Sequence, residues 1–419
     1  KQMRQEVEIL QPAFYEKFAC IGPSCTDNCC HTWEINIDKE HYLLYKAQQD
    51  PSFRSLCARV VHRRKKDGTP EQFASLALDE DGRCGFQDPD GGCRIIRALG
   101  PQALSHTCTL YPRRKAQFLP GIWELSLSLS CTEAARLALF SQEKTEFVSR
   151  TRSVDPHDPL DAMPALGIGP GGKPVAPPVY GSPLRQACLE LIRCRDYQLP
   201  ERILAVGLLL RRVDRLLKDG RDGEIPAMSA GFLTSVQKGE FQGFFQRLEY
   251  HPEAHQAAMR LPVAHLLGGA RKPVLRHLWQ ALEPWCAADP ATGEYQAGRE
   301  ALDFLIKTGK EKGDPILESL ATAAENYFVS YLFSSMFPFL YRAEGLSFEH
   351  NGILLAEQYA LLRLLLALAP QAPCPEDQLI QAVVSLARLS QHSDLGGDLL
   401  RLTRAVQLDG LAHAAYLLR

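Results

Sequence analysis

The 419-residue chain lacks the charge excess of a dedicated nucleic-acid binder: 47 lysines and arginines stand against 49 acidic residues, a formal net charge of -2. Neutralising phosphates calls for a strong basic surplus, so nucleic acid is not an expected partner. An apolar leader is also missing, because the opening KQMRQEVEILQPAF is charged throughout. The expected compartment is the cytoplasm. No stretch reads as long and uncharged enough to span a bilayer. The nearest, YFVSYLFSSMFPFL at 327–340, is short and broken by a proline, which leaves only peripheral membrane contact open. There is no P-loop, no G-x-S-x-G elbow and no EF-hand loop. GIGPGG at 167–172 has neither the preceding strand nor the following helix that makes a glycine loop useful for phosphate.

What the chain does have is enough apolar residues for a real core, 45%, and cysteine in an uneven distribution. Nine of its 13 cysteines fall in the first 131 residues: Cys20, Cys25, Cys29, Cys30, Cys57, Cys84, Cys93, Cys108 and Cys131. In a reducing compartment clustered thiols bind a metal or an iron–sulfur cluster more often than they form disulfides. The densest stretch is FACIGPSCTDNCCHTWEINID at 18–38, where Cys29 and Cys30 are adjacent. Two neighbouring thiolates on a tight turn can serve one centre, or one of them can turn away to pack or to bind a second.

Around these thiols the sequence predicts short elements. TWEINID at 32–38 alternates as a half-buried strand, and Asp38 caps a helix containing Tyr42, Leu43 and Tyr45. Cys84 and Cys93 flank an Asp-Pro-Asp-Gly-Gly turn that brings them close. WELSLSLSCTEAARLALF reads as a strand entering a helix, with Ser130 and Glu133 as a capping box and Cys131 near the first turn. Cys131 is thus a secondary ligand candidate whose alternative is plain packing at a strand–helix junction.

Cys25-x3-Cys29-Cys30 and Cys84-x8-Cys93-x14-Cys108 supply six thiols, enough for one four-thiolate centre with spares. Tetrahedral thiolate donors suit zinc and a [4Fe-4S] cluster alike. A radical-type C-x3-C-x2-C run is absent, since position 32 is Thr32. The basic runs Arg63-Arg64-Lys65-Lys66 and Arg113-Arg114-Lys115 read as solvated loop charge, with an anionic membrane or partner surface as the alternative. HPEAH at 251–255 lacks the zinc-protease order of residues, and Pro252 marks a helix start.

Residues 151–183 are rich in proline and glycine and read as a linker or long loop. From 184 onward, apolar residues recur at three- and four-residue spacing, as in ERILAVGLLLRRVDRLLKD and GILLAEQYALLRLLLALA. The expected fold class is mainly α. It comprises a small cysteine-rich α+β module at 1–150, the linker at 151–183, and an α-helical bundle or stacked helices at 184–419.

FACIGPSCTDNCCHTWEINIDKEHYLLY, CRIIRALGPQALSHTCTLYPRR, ELSLSLSCTEAARL and ENYFVSYLFSSMFPF together resemble the bacterial flagellin lysine-N-methylase family. The N-terminal part of that family belongs to a wider group of zinc- or iron-chelating domains. The resemblance covers about the first 140 residues and the segment near 325–339. It implies transfer of methyl groups from S-adenosylmethionine to surface lysines of flagellin, dependent on a cysteine-bound cluster. The family's cysteines map onto Cys25, Cys29, Cys30, Cys93 and Cys108, with Cys20, Cys84 and Cys131 as further members. A [4Fe-4S] cluster, with zinc as the alternative, is the expected metal group, on the resemblance and the excess of thiols over one closed zinc site. Simple methyl transfer needs only a neutral amine, an in-line sulfonium and a dry pocket. The cluster is therefore either structural or engaged with the cofactor through an open iron. Without a glycine loop, the donor is expected in an unfamiliar pocket, where the module meets the helices. Glu325 is the candidate to hold the lysine ammonium or accept its proton, with Tyr327 or Tyr331 lining an amine channel. The alternative is a buried aromatic helix with internally bonded polar groups. At the level of function, the alternative to the enzyme is a metal-chelating scaffold or metallochaperone whose helices bind a partner.

Overall fold

The structure is a computed structural model that describes residues 6–31, 33–117, 121–141, 145–155, 157–163, 165, 179–249, 251–270, 286–288, 295–297, 299–337, 347–368, 372–391 and 410–418. It is mainly α-helical, as the apolar spacing predicts. Among the described residues, seven strands precede the long helices: β1 Glu6–Pro12, β2 Asn36–Ile37, β3 Val61–Arg63, β4 Ala74–Leu76, β5 Arg113–Ala116, β6 Ile122–Leu127 and β7 Phe147–Ser153. They form a four-stranded sheet in the order β5-β6-β1-β7 and a three-stranded one in the order β2-β4-β3. In the larger sheet β1 is central, parallel to β6 and antiparallel to β7.

Period-2 alternation explains β1, which turns Val7 and Ile9 inward. Those side chains, Leu125 and Leu127 of β6, and the Thr132–Phe140 helix share one apolar core with helices from Gly181 to Leu417. A second, smaller core encloses Ile35, Ile37, Tyr45, Phe53, Phe86 and Ile95. Here the elements are too short to bury much themselves, and aromatic contacts carry the packing. Phe53 stacks on Phe86 at 5.8 Å, and Tyr45 donates its hydroxyl to the Ala103 carbonyl at 2.7 Å.

The helical half centres on Phe348–Leu368, which crosses Leu199–Lys218 where Gly207 meets Gly352. A Cβ on Gly352 would lie 2.7 Å from the Gly207 Cα, so the close crossing needs glycine. By length and composition Phe348–Leu368 is apolar enough to cross a membrane. It carries Glu349, Glu357 and Arg363, so it is not an uncharged apolar run, and it is largely buried as the core of the bundle. Other expected helices appear at Gly181–Ile192, Arg299–Thr308 and Pro375–Gln391. The run expected from Ile316 to Leu340 is broken into Asp314–Ser319, Ala321–Tyr331 and a π-turn at Leu332–Met336, and 338–340 lie outside the described residues. Of the segment 397–418, only Leu411–Leu417 is described as helix. Two short antiparallel strands, Cys286–Ala288 and Tyr295–Ala297, interrupt the helical part unannounced. Pro252 does begin a helix, Pro252–Ala270.

Several local expectations change. Among the described residues of the 32–38 stretch only Asn36–Ile37 is strand, paired with Ala74 and Ser75 of β4. The expected Ser130–Glu133 capping box does not form. Ser130 Oγ bonds Ser128 and Tyr111, Glu133 pairs with Arg136, and Cys131 takes the cap position. The run Arg113-Arg114-Lys115 is not a solvated loop. It is strand β5, where Lys115 is buried and donates to the Leu160 and Asp161 carbonyls while Arg114 reaches Ser335. Within 151–183, β7 continues to Ser153 and a short helix forms at Pro159–Ala162. GIGPGG lies outside the described residues.

Candidate metal centre

The loop carrying Cys20, Cys25, Cys29 and Cys30 lies between two walls. On one side the Cys84 amide donates to the Cys30 carbonyl at 2.7 Å. On the other, Thr132 Oγ1 donates to the Asp27 carbonyl at 3.1 Å, which seats the loop at the start of the Thr132–Phe140 helix. Arg388, on Pro375–Gln391, clamps the loop from behind. Its guanidinium donates to both Asp27 carboxylate oxygens at 2.9 and 2.7 Å and reaches the Ser130 carbonyl. Trp33 closes the turn by donating its indole N–H to the Cys29 carbonyl while its ring lies 5.4 Å from Tyr111.

The Asp-Pro-Asp-Gly-Gly turn folds as expected. Asp88 N–H bonds the Gly92 carbonyl at 2.8 Å, and Gly91 adopts φ 82°, a conformation that suits glycine. Cys93 then caps Arg94–Leu99, and the Ile95 and Ile96 N–H groups point at its sulfur. Cys108 sits in His106–Leu110. Asp38 anchors that short helix: it accepts the backbone N–H of both His41 and His106 and the His41 ring N–H at 2.8 Å. Burial opposes ionisation of Asp38, but these hydrogen bonds outweigh it and hold the carboxyl well below its ordinary range.

Cys30, Cys84, Cys93 and Cys108 all border the small aromatic core. They are electrostatic neighbours: Cys84, Cys93 and Cys108 each sense the charge of Cys30, and Cys108 senses Cys84 and Cys93 as well. Burial first, and then this mutual repulsion, pushes the Cys84 and Cys108 thiols up to about 12. Cys29 and Cys30 share a hydrogen bond that lowers Cys30 and, with burial, raises Cys29. These four neighbouring thiols form the candidate metal site. Among the described residues, the group whose ligand atoms all lie within 4.8 Å is Asp38, His41 and His106, not a set of thiols.

Cys131 belongs to the other core and caps Thr132–Phe140, with the Glu133 and Ala134 N–H groups directed at its sulfur. Its thiol neighbours are Cys25 and Cys20.

Glu325 and Tyr327 lie on Ala321–Tyr331 and are both buried. Glu325 is gripped by Arg195 at 3.0 Å and by Arg202 at 2.8 Å, and Tyr327 donates to Gln358 at 2.8 Å. Both are committed to internal partners, the bonded aromatic helix that the sequence offers as the alternative. Glu357, which sequence reasoning passed over, is fully buried with neither carboxylate oxygen bonded. Burial pushes it up to about 8. A glutamate in the middle of the apolar run GILLAEQYALL is the signal that could have found it. Two cavities of about 430 and 400 Å³ share Leu204, Leu248 and Ala415; the second adds Glu201, Asp314, Glu318 and Tyr359. Both lie within the helical part.

The family described as FliB lysine N-methylase C-terminal domain matches residues 185–417. The lysine-N-methylase of Salmonella typhimurium is 34% identical over 238 residues, 56% of this chain and 55% of that protein. The flagellar biosynthetic protein FliU of Salmonella muenchen is 34% identical over 130 residues, 31% of this chain and 75% of its own. The chain thus matches about half the length of the lysine-N-methylase. No solved structure matches.

Proposed function

Because the chain belongs to the FliB lysine N-methylase family, we propose that it methylates lysine ε-amines of flagellin in the cytoplasm, with S-adenosylmethionine as donor and a [4Fe-4S] cluster as resident group. The family match over residues 185–417 carries the reading, and the names of the relatives, one a lysine-N-methylase and one a flagellar biosynthetic protein, supply its direction. The convergent thiols support the metal group. Cys30, Cys84, Cys93 and Cys108 would hold it, and when bound it supplies a compact positive charge and redox-active iron. The chain's own residues do the rest of that work: Asp38 and Asp27, through His106 and Arg388, hold the cysteine segments together.

The two adjoining cavities are the candidate donor site. Their combined size fits a cofactor of this class, the carboxylates of Glu201, Asp314 and Glu318 suit a cationic sulfonium and ribose hydroxyls, and Tyr359 offers a ring to the adenine. For the transfer the lysine must arrive neutral and in line with the methyl–sulfur bond, in a site that excludes water. The test is incubation of anaerobically purified, iron-loaded protein with flagellin and methyl-labelled S-adenosylmethionine, read by mass spectrometry. Label on flagellin lysines is expected. Its absence from lysine, with the metal centre intact, would overturn the proposal in favour of a metal-binding scaffold.

A further inference from the structure

The two adjoining cavities of the helical half carry opposite charge. Along Leu199–Lys218 the residues Glu201, Leu204, Leu208 and Arg211 recur at steps of three, four and three, which sets them on one face of the helix. That face lines both cavities: Glu201 and Leu204 border one, and Leu204, Leu208 and Arg211 border the other. At the helical rise of 1.5 Å per residue, Glu201 and Arg211 stand about 15 Å apart along the axis. Between them the shared residues Leu204, Leu248 and Ala415 form an apolar waist. Arg211, Arg247 and His251 lie on one side of it, and Glu201, Asp314 and Glu318 on the other. Internal pairing sharpens this polarity. On the cationic side the Glu249 carboxylate lies 3.8 Å from His251, and on the acidic side Arg363 lies 3.5 Å from Asp314. Arg211 is 3.7 Å from Glu349. Among the described residues, neither Arg247 nor Glu318 has an ion-pair partner, so each end of the groove keeps one charge for a ligand.

We propose that the methyl donor lies across this waist in one direction, with its amino-acid carboxylate at Arg247 and its adenosine among Glu201, Glu318 and Tyr359. This rests on the placement of the donor in these cavities. A ligand with a carboxylate at one end and ribose hydroxyls at the other matches a groove that is cationic at one end and acidic at the other. The guanidinium donates charge-assisted hydrogen bonds to the carboxylate, and the glutamates accept from the hydroxyls. The sulfonium then falls at the apolar waist, about one helical turn from Glu201, where Leu204, Leu248 and Ala415 offer water no partner. The reverse placement sets the donor carboxylate against Glu201 and Glu318 and leaves Arg247 opposite the adenine. Arg247 is therefore the residue that selects ligands bearing the amino-acid end.

The test is calorimetric binding to the full-length protein of two ligands that share the adenosine end: S-adenosylhomocysteine, which carries the amino-acid carboxylate, and methylthioadenosine, which lacks it. Arg247→Ala should weaken S-adenosylhomocysteine on the order of tenfold and leave methylthioadenosine unchanged, and Arg247→Lys should restore part of the loss. Arg247 is exposed, so neither substitution threatens the fold. Glu318→Gln, at the other end, should weaken both ligands alike. Equal affinity of the wild type and Arg247→Ala for S-adenosylhomocysteine would overturn the proposal. So would an equal loss for the two ligands, which means that Arg247 only shapes the cavity, or the absence of binding of either ligand to the wild type. Binding is read without methylation. Labelled flagellin together with an indifferent Arg247→Ala keeps the enzyme reading and removes the orientation, whereas the selective loss without labelled flagellin does the reverse.

Discussion

The small core around the thiols and the large core of the helices reach order by different routes. In the large core, long helices bury aliphatic side chains over many turns, and polar groups are admitted as complete pairs, such as Arg185 bidentate to Glu124 at 2.9 and 2.7 Å. Such packing is self-sufficient. In the small core, helices run from five to ten residues and strands from two to three. Cys57 and Cys84 belong to it, and Cys30, Cys93 and Cys108 pack against its edge. Segments this short do not stabilise themselves and depend on staples. If the thiols hold the proposed metal group, metal binding and folding are expected to be one event in the first region and independent in the second.

The comparison breaks most visibly when metal is withheld. Protein made without iron, or carrying Cys30→Ser with Cys84→Ser, should become susceptible to proteolysis between about residues 20 and 110 while keeping most of its far-ultraviolet helical signal. Limited proteolysis with mass mapping beside circular dichroism measures both. Protection of that segment without metal would mean that the aromatic core suffices.

Much of this contrast was legible in the sequence, and the part that was not has physical causes. Helix type in the second half follows from three- and four-residue apolar spacing, so Leu199–Lys218 and Phe348–Leu368 were readable. The Asp38 cap and the turn between Cys84 and Cys93 rest on local chemistry and were equally plain. Partners distant in sequence were not. Nothing local says that Arg388 reaches back to Asp27, or that Arg195 and Arg202 close on Glu325. Lys115 resembled a solvated charge because its neighbours are basic, yet the strand register turns it inward onto carbonyls. The grouping of thiols is likewise a tertiary property, since Cys30, Cys84, Cys93 and Cys108 come from separate segments of the chain.

The next effect lies in the large core. Glu325 is nearly inaccessible between two guanidiniums. Glu325→Ala leaves the buried Arg202 charge unpaired and should cost on the order of 3 to 5 kcal/mol in denaturant unfolding. Arg195→Ala, at the exposed end of the same pair, should cost much less. Iron content should not change in either variant. Glu325→Gln sharpens the question of role: loss of methylation with an unchanged melting temperature would give the carboxylate a part in handling the amine, whereas lost stability with retained activity per folded molecule marks it as structural.

Glu357 makes the stability of the helical half depend on pH. Its carboxyl is pushed by burial from 4.5 to about 8, so the folded state holds a proton that the unfolded chain has released. The contribution is fully present below about 4.5 and is lost as pH rises toward 8, an effect on the order of 4 kcal/mol across that window. Glu357→Gln keeps the shape and removes the titration. Relative to wild type, the variant should gain stability steadily between pH 5 and 8 in urea titrations. A constant difference across that range would mean that the carboxyl is ionised in the fold or has a partner there.

The smallest effect separates packing thiols from ligating ones. Cys188 is buried in the large core and Cys57 in the small one, and burial is the leading cause that raises both thiols, Cys57 to about 11. Removing one sulfur leaves a cavity of about one heavy atom, so Cys188→Ala and Cys57→Ala should each cost about 1 kcal/mol. If folding of the small region is coupled to metal, the cost of Cys57→Ala should appear chiefly in protein made without iron. The loaded protein is held by metal–thiolate bonds that this substitution does not touch. Cys188→Ala should cost the same with and without iron. Both variants should retain the iron content of the wild type. Iron lost with Cys57→Ala would place that thiol among the ligands, and an equal cost in loaded and unloaded protein would uncouple the small core from the metal.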